Sequence, residues 1–530
     1  MTAKRTSVAV IGAGPSGLSM LKCLREDGFA VTAFERRPNV GGLWAYNENT
    51  SYTTALPRTR ANISKFTCGY TDYPMPDRFP TYMKPAQFQE FMEGYAKHFD
   101  LNQDIVFNAN VNLVTRDEDN AKWNVEVDRS GKIEIHEFDK VVFCHGYQTI
   151  AKFPTFEGQE KFEGKIIHAQ SYRSPDEFKG KNVVVLGLHS SSGDIIPDLV
   201  PHASKVYISH RRGALPFKRF RGGVPVDLGI TWRRRALSHF MQRHLPRLSR
   251  IVADAAASWL ARSLFGKLDP AWRLEPFPSL VLHLPGSWED VIPLLQDGTV
   301  ESLHGIKRFL GPRAIEFADG RVIEDVDAVI MCTGYRADWG PLPFVETSKP
   351  TAHGYAGPPI YRMYMNLFPP KYADSCVVLN YSAFGKNNGF SFADVTSMAI
   401  SNVFRGVEHL PSRREMEQHI DKHQAWVASR WAEDPTIDVS CVRQWEFQGW
   451  LHKAAGTGME NLGWGWKGWV FWFKDRKMYN LMNNGVETAH AFRYFETGKR
   501  RTWDGARAEI IHQNELVKAF PKKDGSYRED

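Results

Sequence analysis

The sequence predicts an α/β protein built on two parallel sheets, because two glycine-rich turns each follow a short apolar strand. The first turn, after residues 8–11, is Gly12-Ala13-Gly14-Pro15-Ser16-Gly17. The second turn, after residues 183–186, is Gly187-Leu188-His189-Ser190-Ser191-Ser192-Gly193. Such a turn lets a pyrophosphate approach the backbone at the N-terminus of the helix that follows. Two of them predict two Rossmann-like dinucleotide-binding units.

The first turn carries every glycine of the dinucleotide-binding pattern, at positions 12, 14 and 17. The next predicted strand, residues 30–34, ends in Glu35. An acid about 20 residues beyond the turn bonds the hydroxyl groups of an adenosine ribose. Strand, turn, helix and acid together therefore predict a nucleotide site rather than an ordinary tight turn.

The second turn is followed by a strand that has no acid at its end. Residues 205–209 lead instead into His210, Arg211 and Arg212. An acid there would repel a 2′-phosphate, whereas arginine binds it through charge-assisted hydrogen bonds. The pair predicts NADPH rather than NADH as the second nucleotide; the alternative is that both arginines are solvated surface charges.

A third motif lies between the two turns and has the spacing Phe162-x-Gly164-x-x-x-His168-x-x-x-Tyr172. Further motifs are Gly41-Gly42-Leu43-Trp44, residues 61–65, residues 72–76, residues 211–214 and Cys332-Thr333-Gly334-Tyr335. In this order and with this fingerprint, the chain resembles the flavin-containing monooxygenases, which are class B FAD- and NADPH-dependent monooxygenases. The resemblance spans residues 7–406 and is weaker in the tail.

The resemblance implies one cofactor for each turn. The residues implied to hold FAD are Gly12, Ala13, Gly14, Pro15, Ser16, Gly17, Glu35, Gly42, Leu43, Trp44, Asn62 and Ile63. Those implied to hold NADPH are Gly187, Ser191, Ser192, Gly193, Asp194, Arg211, Arg212 and Thr333. Asn62 is the implied catalytic residue beside the flavin, since an amide donates and accepts hydrogen bonds without becoming charged. Without the surrounding motifs, Asn62 would be interpreted as a turn residue.

The chain also departs from the family pattern at three positions. His189 and Ser192 replace the second and third glycines of the second turn. A β-carbon at either position narrows the room for a pyrophosphate or tilts the helix. Ala61 stands where threonine is common, which removes one potential nucleotide contact. FAD binding is therefore the stronger prediction of the two.

The resemblance implies oxygenation of a small organic substrate. NADPH would reduce FAD, the reduced flavin would capture O2 as a C4a-(hydro)peroxyflavin, and a nitrogen or sulfur atom would take one oxygen atom. Three alternatives stay open. They are a Baeyer–Villiger oxygenase, against which Tyr172 in place of the usual tryptophan argues; an NADPH oxidase or reductase that releases hydrogen peroxide; and a non-enzymatic flavin-binding or NADPH-sensing protein.

Composition fits a large enzyme. A chain of 530 residues, 42% of them hydrophobic, can form more than one core. A net charge of +7 without a concentrated basic run argues against nucleic acid as a partner. The six cysteines lack Cys-x-x-Cys and zinc-type spacing, which predicts no metal site, disfavours a dithiol reductase and indicates the reducing cytoplasm. With no apolar run near ~18 residues, we expect no transmembrane segment and at most peripheral contact with a membrane.

The motif order predicts nested domains. Residues 1–155 would form the first part of the FAD-binding domain and residues 156–335 the NADPH-binding domain. Within the latter, residues 216–299 form an insertion with helical periodicity over 249–264, and long insertions often form lids. Residues 336–530 would return to the FAD domain through residues 376–381 and end in a helical tail. We expect the tail residues Trp464, Trp466, Trp469 and Trp472 to pack against the FAD domain.

Overall fold

The computed structural model describes residues 5–379 and 389–520, and these contain 24 strands and 12 α-helices. The strands are β1 (Ser7–Ile11), β2 (Ala30–Glu35), β3 (Ile105–Phe107), β4 (Asn110–Asp117), β5 (Lys122–Arg129), β6 (Lys132–Phe138), β7 (Lys140–Phe143), β8 (Ile150–Ala151), β9 (Lys165–His168), β10 (Asn182–Leu186), β11 (Lys205–His210), β12 (Pro216–Phe217), β13 (Phe220–Arg221), β14 (Val224–Pro225), β15 (Gly286–Ser287), β16 (Val300–His304), β17 (Ile306–Phe309), β18 (Ile315–Phe317), β19 (Val322–Ile323), β20 (Ala328–Met331), β21 (Tyr335–Arg336), β22 (Thr347–Ser348), β23 (Ile360–Tyr361) and β24 (Cys376–Val378).

The helices begin with α1 and α3, each directly after one of the glycine-rich turns. They are α1 (Pro15–Glu26), α2 (Pro85–His98), α3 (Ser190–Leu199), α4 (Trp232–His244), α5 (Pro246–Phe265), α6 (Val291–Gln296), α7 (Gly389–Phe404), α8 (Arg413–Glu433), α9 (Gln444–Ala455), α10 (Trp466–Lys474), α11 (Arg476–Asn484) and α12 (Ala506–Lys518).

The first parallel sheet has the strand order β24-β7-β1-β2-β3. Side chains alternate along its central strand β1, as the pleat requires. Val8 and Val10 pack into a core shared with α1, α2 and α7, which is called the first core. Ala9 and Ile11 pack against the antiparallel sheet β4-β5-β6. Because both faces of β1 are covered, all of its residues from Val8 to Ile11 are apolar.

The second parallel sheet has the order β16-β11-β10-β20-β9 and repeats this plan. On the central strand β10, Val183 and Val185 share a core with α3 and α6, which is called the second core. Val184 faces the small antiparallel sheet β17-β18-β19. The predicted α/β fold with two Rossmann-like units is thus confirmed.

β24 lies beside β7 in the first sheet, so the chain returns to that sheet after completing the second one. The strand covers residues 376–378 of the segment predicted to return; Asn380 and Tyr381 lie outside the described residues. The boundaries of the three predicted domain segments stay a prediction.

The insertion between β11 and β16 contains two long helices that are largely exposed. α4 has no buried residue, and α5 buries only Ala261 and Phe265. α6 differs, because Val291 and Ile292 are fully buried in the second core. Although the predicted insertion extends to residue 299, α6 is therefore a covering helix of the second sheet.

The C-terminal segment is connected to α1 by ion pairs in which Lys22, Asp72 and Arg493 are buried. Arg493 lies 3.3 Å from Asp72 and 3.5 Å from Glu26, and Lys22 of α1 pairs with both acids. These side chains connect the tail with the helix that follows the first turn.

The expectation for the tail tryptophans is wrong for three of the four. Trp464 and Trp466 are 74% and 80% exposed, and Trp469 is 53% exposed. Trp472 alone of the four packs against the first core. α10 is only nine residues long and buries just Gly468 and Phe471, so Trp466, Trp469 and Phe473 face solvent.

The described part of the chain offers neither a membrane-spanning helix nor a cluster of metal ligands. None of its helices is long and apolar enough to cross a lipid bilayer. Across residues 5–379 and 389–520, no group of three or more His, Cys, Asp and Glu side chains is placed to hold a metal ion. All six cysteines are described, and each is a buried free thiol.

Candidate functional site

The first turn closes so tightly that two of its glycines have no room for a side chain. Gly12 has a φ of +101°, and a β-carbon there would lie 2.6 Å from the carbonyl oxygen of Cys144. A β-carbon at Gly17 would lie 1.8 Å from the carbonyl oxygen of Gly12. At Gly14 the nearest atom would be Cα of Gly42, at 3.5 Å. Gly14 and Gly42 therefore form two bare walls of one narrow space.

The helix N-terminus beside this space is open to an anion. Gly14 is the N-cap of α1 and Pro15 its first residue, so no side chain caps the helix. The first turn of α1 also contains no acidic residue. Ser16 and Gly17 continue that turn. Free N–H groups and the positive end of the helix dipole favour a phosphate here. These residues fit the pyrophosphate of FAD.

Glu35 is joined to the first turn by a hydrogen bond. Its carboxylate accepts the backbone N–H of Ala13 at 2.7 Å and that of Arg37 at 2.9 Å, and the residue is buried. A carboxylate has further lone pairs with which to accept ribose hydroxyls. The acid therefore lies at the end of β2 in contact with the turn, as the spacing predicts.

Arg37 holds the loop that contains Gly42, Leu43 and Trp44. Its guanidinium donates to the carbonyl oxygens of Gly42 at 2.6 Å and Thr53 at 2.8 Å. The Trp44 ring lies on Phe88 with 4.1 Å between centroids. The loop that forms one wall of the first-turn space is thus fixed by a buried cation.

The second turn accommodates His189 and Ser192, which replace two glycines of the pattern, without left-handed backbone. Gly187 keeps a φ of +119°, and a β-carbon there would lie 2.4 Å from the carbonyl oxygen of Cys332. His189 is the extended N-cap of α3, with a φ of −149° that any residue adopts. Ser192 is buried; its hydroxyl accepts the N–H of His189 at 3.0 Å and donates to its carbonyl oxygen at 2.8 Å. Ser192 therefore caps the helix, while Ser191 is half-buried beside it.

Gly193 is constrained by the insertion. A β-carbon at Gly193 would lie 2.8 Å from the carbonyl oxygen of Ser287, in β15. The segment after the insertion helices therefore packs directly on the first turn of α3. Burial and the nearby Arg212 and His283 lower the pKa of His189, so its imidazole is neutral at pH 7.

Arg211 and Arg212 are not equivalent. Nη1 of Arg212 lies 3.1 Å from Nε2 of His283 and 3.6 Å from Oδ2 of Asp434. Arg211 is exposed, and within residues 5–379 and 389–520 it has no ion-pair partner. Of the two, Arg211 has the guanidinium that is available to a 2′-phosphate.

The loop before Asn62 joins the two units. Thr59 donates to Asp194 of α3 at 2.9 Å, and Arg58 pairs with Asp198 at 2.7 Å. Burial raises the pKa of Asp194 to about 6. Because α3 begins at the second turn, these contacts bring the Asn62 segment to the second nucleotide unit. Asn62 itself is exposed, and its Oδ1 accepts a hydrogen bond from Arg219 at 3.2 Å.

Four residues of the sequence motifs make contacts within the fold. His168 is buried, accepts the N–H of Gln170 at 3.0 Å and lies 3.1 Å from the carbonyl oxygen of Gly334. Tyr172 donates to Asp198 at 2.8 Å. The hydroxyl of Thr333 donates to the carbonyl oxygen of Lys152. Ile63 packs against the first core.

Sequence reasoning missed Arg37, Arg219, Asp227 and Glu289. Each makes several buried or half-buried hydrogen bonds within or beside the site. The last three lie in the insertion, at positions that no motif or periodicity marked. Only the contacts made after folding distinguish them from ordinary surface charges.

Two dinucleotide-binding units in contact with each other define the general class of the protein, and comparisons with known proteins identify its family. A sequence model described as "Flavin-binding monooxygenase-like" matches residues 3–523. Monooxygenase aurF of Gibberella zeae is 34% identical over 518 residues, covering 96% of this chain and 97% of that protein. Human flavin-containing monooxygenase 5 is 31% identical over 530 residues, covering 98% and 93%.

Solved structures share the fold. The S-allyl-L-cysteine S-oxygenase of Allium sativum has a TM-score of 0.62 at 20% identity, with 98% of this chain and 100% of that chain covered. An oxidized steroid monooxygenase bound to NADP has a TM-score of 0.61 at 19% identity, with 86% and 98% covered. The chain thus belongs to the flavin-binding monooxygenase-like family. It is an oxidoreductase enzyme, and FAD and NADPH are the standard cofactors of its family.

Proposed function

We propose that the protein uses NADPH, FAD and O2 to transfer one oxygen atom to a nitrogen or sulfur atom of a small organic substrate. The observation that supports the proposal is the loop 58–62, in which Arg58 and Thr59 contact α3 and Asn62 is exposed. Bound FAD, once reduced by NADPH, supplies the activation of O2. The proposal includes the C4a-(hydro)peroxyflavin that the sequence resemblance implies.

The first turn, Glu35 and the loop at Gly42 to Trp44 would hold FAD. The support is the open N-terminus of α1 and the narrow space between Gly14 and Gly42. Gly187, Gly193 and the N-terminus of α3 would hold the pyrophosphate of NADPH, and Arg211 its 2′-phosphate. Asp194 and Thr333 would shape that site indirectly, because Asp194 accepts a hydrogen bond from Thr59 and Thr333 donates one to Lys152.

Asn62 would supply a neutral hydrogen-bond donor at the reacting centre. Donors fixed in a water-poor site are stronger than the same groups in water and need no reorganisation during the reaction. The alternatives of Baeyer–Villiger oxygenation, peroxide release and ligand sensing differ in what leaves the enzyme, so product analysis separates them.

The test is oxidation of a panel containing a thioether, a tertiary amine and a ketone, with NADPH and ¹⁸O2. The proposal predicts an S- or N-oxide carrying one ¹⁸O atom and equimolar to the NADPH consumed. An ester or lactone would identify a Baeyer–Villiger enzyme. Hydrogen peroxide equal to the NADPH consumed would identify an oxidase, and absence of NADPH consumption with all three compounds would leave the sensing alternative.

We also propose that the protein acts in the cytoplasm.

We further propose that α4, α5 and α10 contact an anionic lipid surface. Residues 230–266 contain seven arginines and a single acid, Asp254. Exposed apolar side chains accompany them, namely Leu237, Phe240, Ile251 and Trp259, with Trp466 and Phe473 on α10. Arg233 lies over the Trp464 ring, 5.3 Å from its centroid, which links α4 to the segment before α10. Basic and aromatic side chains on exposed helices bind at the interface of anionic membranes.

A further inference from the structure

The first part of the insertion, residues 216–229, is called the insertion arm, and residues 60–67 are called the Asn62 loop. Arg219 of the arm is buried and reaches into this loop. Its Nε donates to the carbonyl oxygen of Ala61 at 2.8 Å, and its Nη2 donates to that of Arg60 at 3.0 Å and to Oδ1 of Asn62 at 3.2 Å. One guanidinium thus contacts three consecutive residues.

Glu289 holds Arg219 from the opposite side. Its Oε2 accepts the backbone N–H of Arg219 at 3.0 Å, and its Oε1 accepts Nη1. All three nitrogens of the guanidinium are therefore occupied, and a carboxylate balances the buried charge. A planar fork held in this way has one orientation, which a lysine ammonium cannot reproduce.

The contact with Arg219 determines which end of the Asn62 amide points outward. A guanidinium only donates hydrogen bonds, so the atom of Asn62 that faces Arg219 must be Oδ1. Nδ2, the donor, points away and has no hydrogen-bond partner within residues 5–379 and 389–520. Without Arg219, the amide could rotate by half a turn and present its acceptor instead.

Asp227 holds the other end of the Asn62 loop. Its Oδ2 accepts the N–H of Ser64 at 2.9 Å, the hydroxyl of Ser64 at 2.7 Å and that of Thr67 at 2.6 Å. Tyr82 donates to Oδ1 at 3.3 Å. The insertion arm therefore fixes the loop at two points, one on each side of Ile63.

We infer that Arg219 is a positioning residue that fixes Asn62 with its Nδ2 donor outward, toward the reacting centre. The inference rests on the proposed role of Asn62. The arm of the insertion then completes the loop on which the donor is mounted. Arg219 acts through Asn62, so its effect on the reaction should vanish once Asn62 has lost its amide.

The test is a double-mutant cycle of Arg219→Lys and Asn62→Leu in the FAD-loaded enzyme. A lost charge-assisted contact is worth about ten- to hundredfold, so Arg219→Lys should lower kcat for oxygenation by that factor with KM changed far less, and raise the peroxide released per NADPH. In the Asn62→Leu background, Arg219→Lys should have no further effect on either quantity. Additive losses in the cycle would show a merely structural role and overturn the inference.

A second readout does not depend on oxygenation. Titration with NADP⁺ under anaerobic conditions should perturb the flavin absorbance spectrum, and both single variants should weaken that perturbation without adding to each other. If the native enzyme oxygenates no substrate but this spectral cycle is non-additive, the inference stands and the proposed function fails. Native coupling and a native spectrum in Arg219→Lys would contradict the inference and leave the proposed function standing.

Two controls keep the test decisive. Arg221→Gln changes a neighbouring arginine of the same arm that stacks on Trp259, and it should leave coupling and spectra unchanged. If Arg219→Lys binds no FAD, the test uses Arg219→Ala with guanidinium added to the assay instead. Guanidinium should restore coupling and ammonium should not, whereas equal rescue by both cations, or rescue by neither, would contradict the need for the planar fork.

Discussion

Gly14 and Gly17 belong to the same turn, but different neighbours constrain them. Any side chain at Gly17 collides with the carbonyl oxygen of Gly12, so its glycine is required by the turn itself. A β-carbon at Gly14 would have ordinary contact with Gly42. Larger atoms would then enter the space between Gly14 and Gly42, so Gly14 is the better position at which to test nucleotide binding.

We expect Gly14→Val to fold but to lose most of its bound FAD, because its methyl groups occupy the room of the pyrophosphate. The measurement is the flavin-to-protein absorbance ratio after purification. Gly449→Val is the matched control, since a β-carbon at that exposed glycine meets open space. Full flavin occupancy in Gly14→Val would show that the first turn does not hold FAD.

Coenzyme preference should depend on Arg211 more than on Arg212. Arg211→Ala loses a charge-assisted contact to phosphate, which is worth about 1.5–3 kcal/mol, or about ten- to hundredfold in affinity. Arg212→Ala should change preference less, because Asp434 and His283 already engage that side chain. Steady-state kcat/KM for NADPH and NADH measures both effects. A larger loss in Arg212→Ala would contradict the assignment.

Among the structural elements, the two turns and their strands could be predicted because they depend on local pattern. β1 and β10 are buried on both faces, so each is a continuous apolar run that a sequence displays. The hydrogen bond from Arg219 to Asn62 could not be predicted, because the two residues are 157 positions apart in the sequence. The exposed tryptophans of α10 were missed because an aromatic stripe usually indicates a core.

The exposed helices α4, α5 and α10 should bind vesicles that contain phosphatidylserine but not vesicles of phosphatidylcholine alone. Sedimentation with each vesicle type measures the bound fraction, which should fall at high salt because screening weakens the arginine contacts. The double variant Trp466→Ser/Phe473→Ser should bind less.

Ile135→Ser is the control for this surface, because Ile135 is also an exposed apolar residue but lies on β6. Equal loss of binding in this control, or equal binding to both vesicle types, would contradict a lipid-contacting face.

For the molecule as a whole, buried neutral histidines should make stability fall in acid. Burial lowers the pKa of His423 and of His452 to about 3, whereas the unfolded value is about 6.5. Between these values only the unfolded chain takes up the protons. Stability is therefore complete above pH 6.5 and is lost as the pH falls, by about 1.36 kcal/mol per pH unit for each histidine.

His452→Gln should flatten this dependence, because it removes one of the titrating groups. The measurement is the unfolding temperature between pH 5 and pH 7.5, the range that spans the unfolded pKa of about 6.5. The exposed His353→Gln is the control. The difference in unfolding temperature between the native protein and His452→Gln should shrink toward low pH, and parallel curves would contradict the assignment.

The most direct test of oxygen transfer at Asn62 is the partition of NADPH-derived electrons in Asn62→Leu. The variant leaves the first turn and Glu35 intact, so its FAD content should match the native enzyme and NADPH should still reduce its flavin under anaerobic conditions. The native enzyme should yield mainly oxygenated product. In the variant the loss of the Nδ2 donor should shift the yield to hydrogen peroxide by about ten- to a thousandfold relative to product. Native coupling in Asn62→Leu, measured as product and peroxide per NADPH, would contradict the role of Asn62.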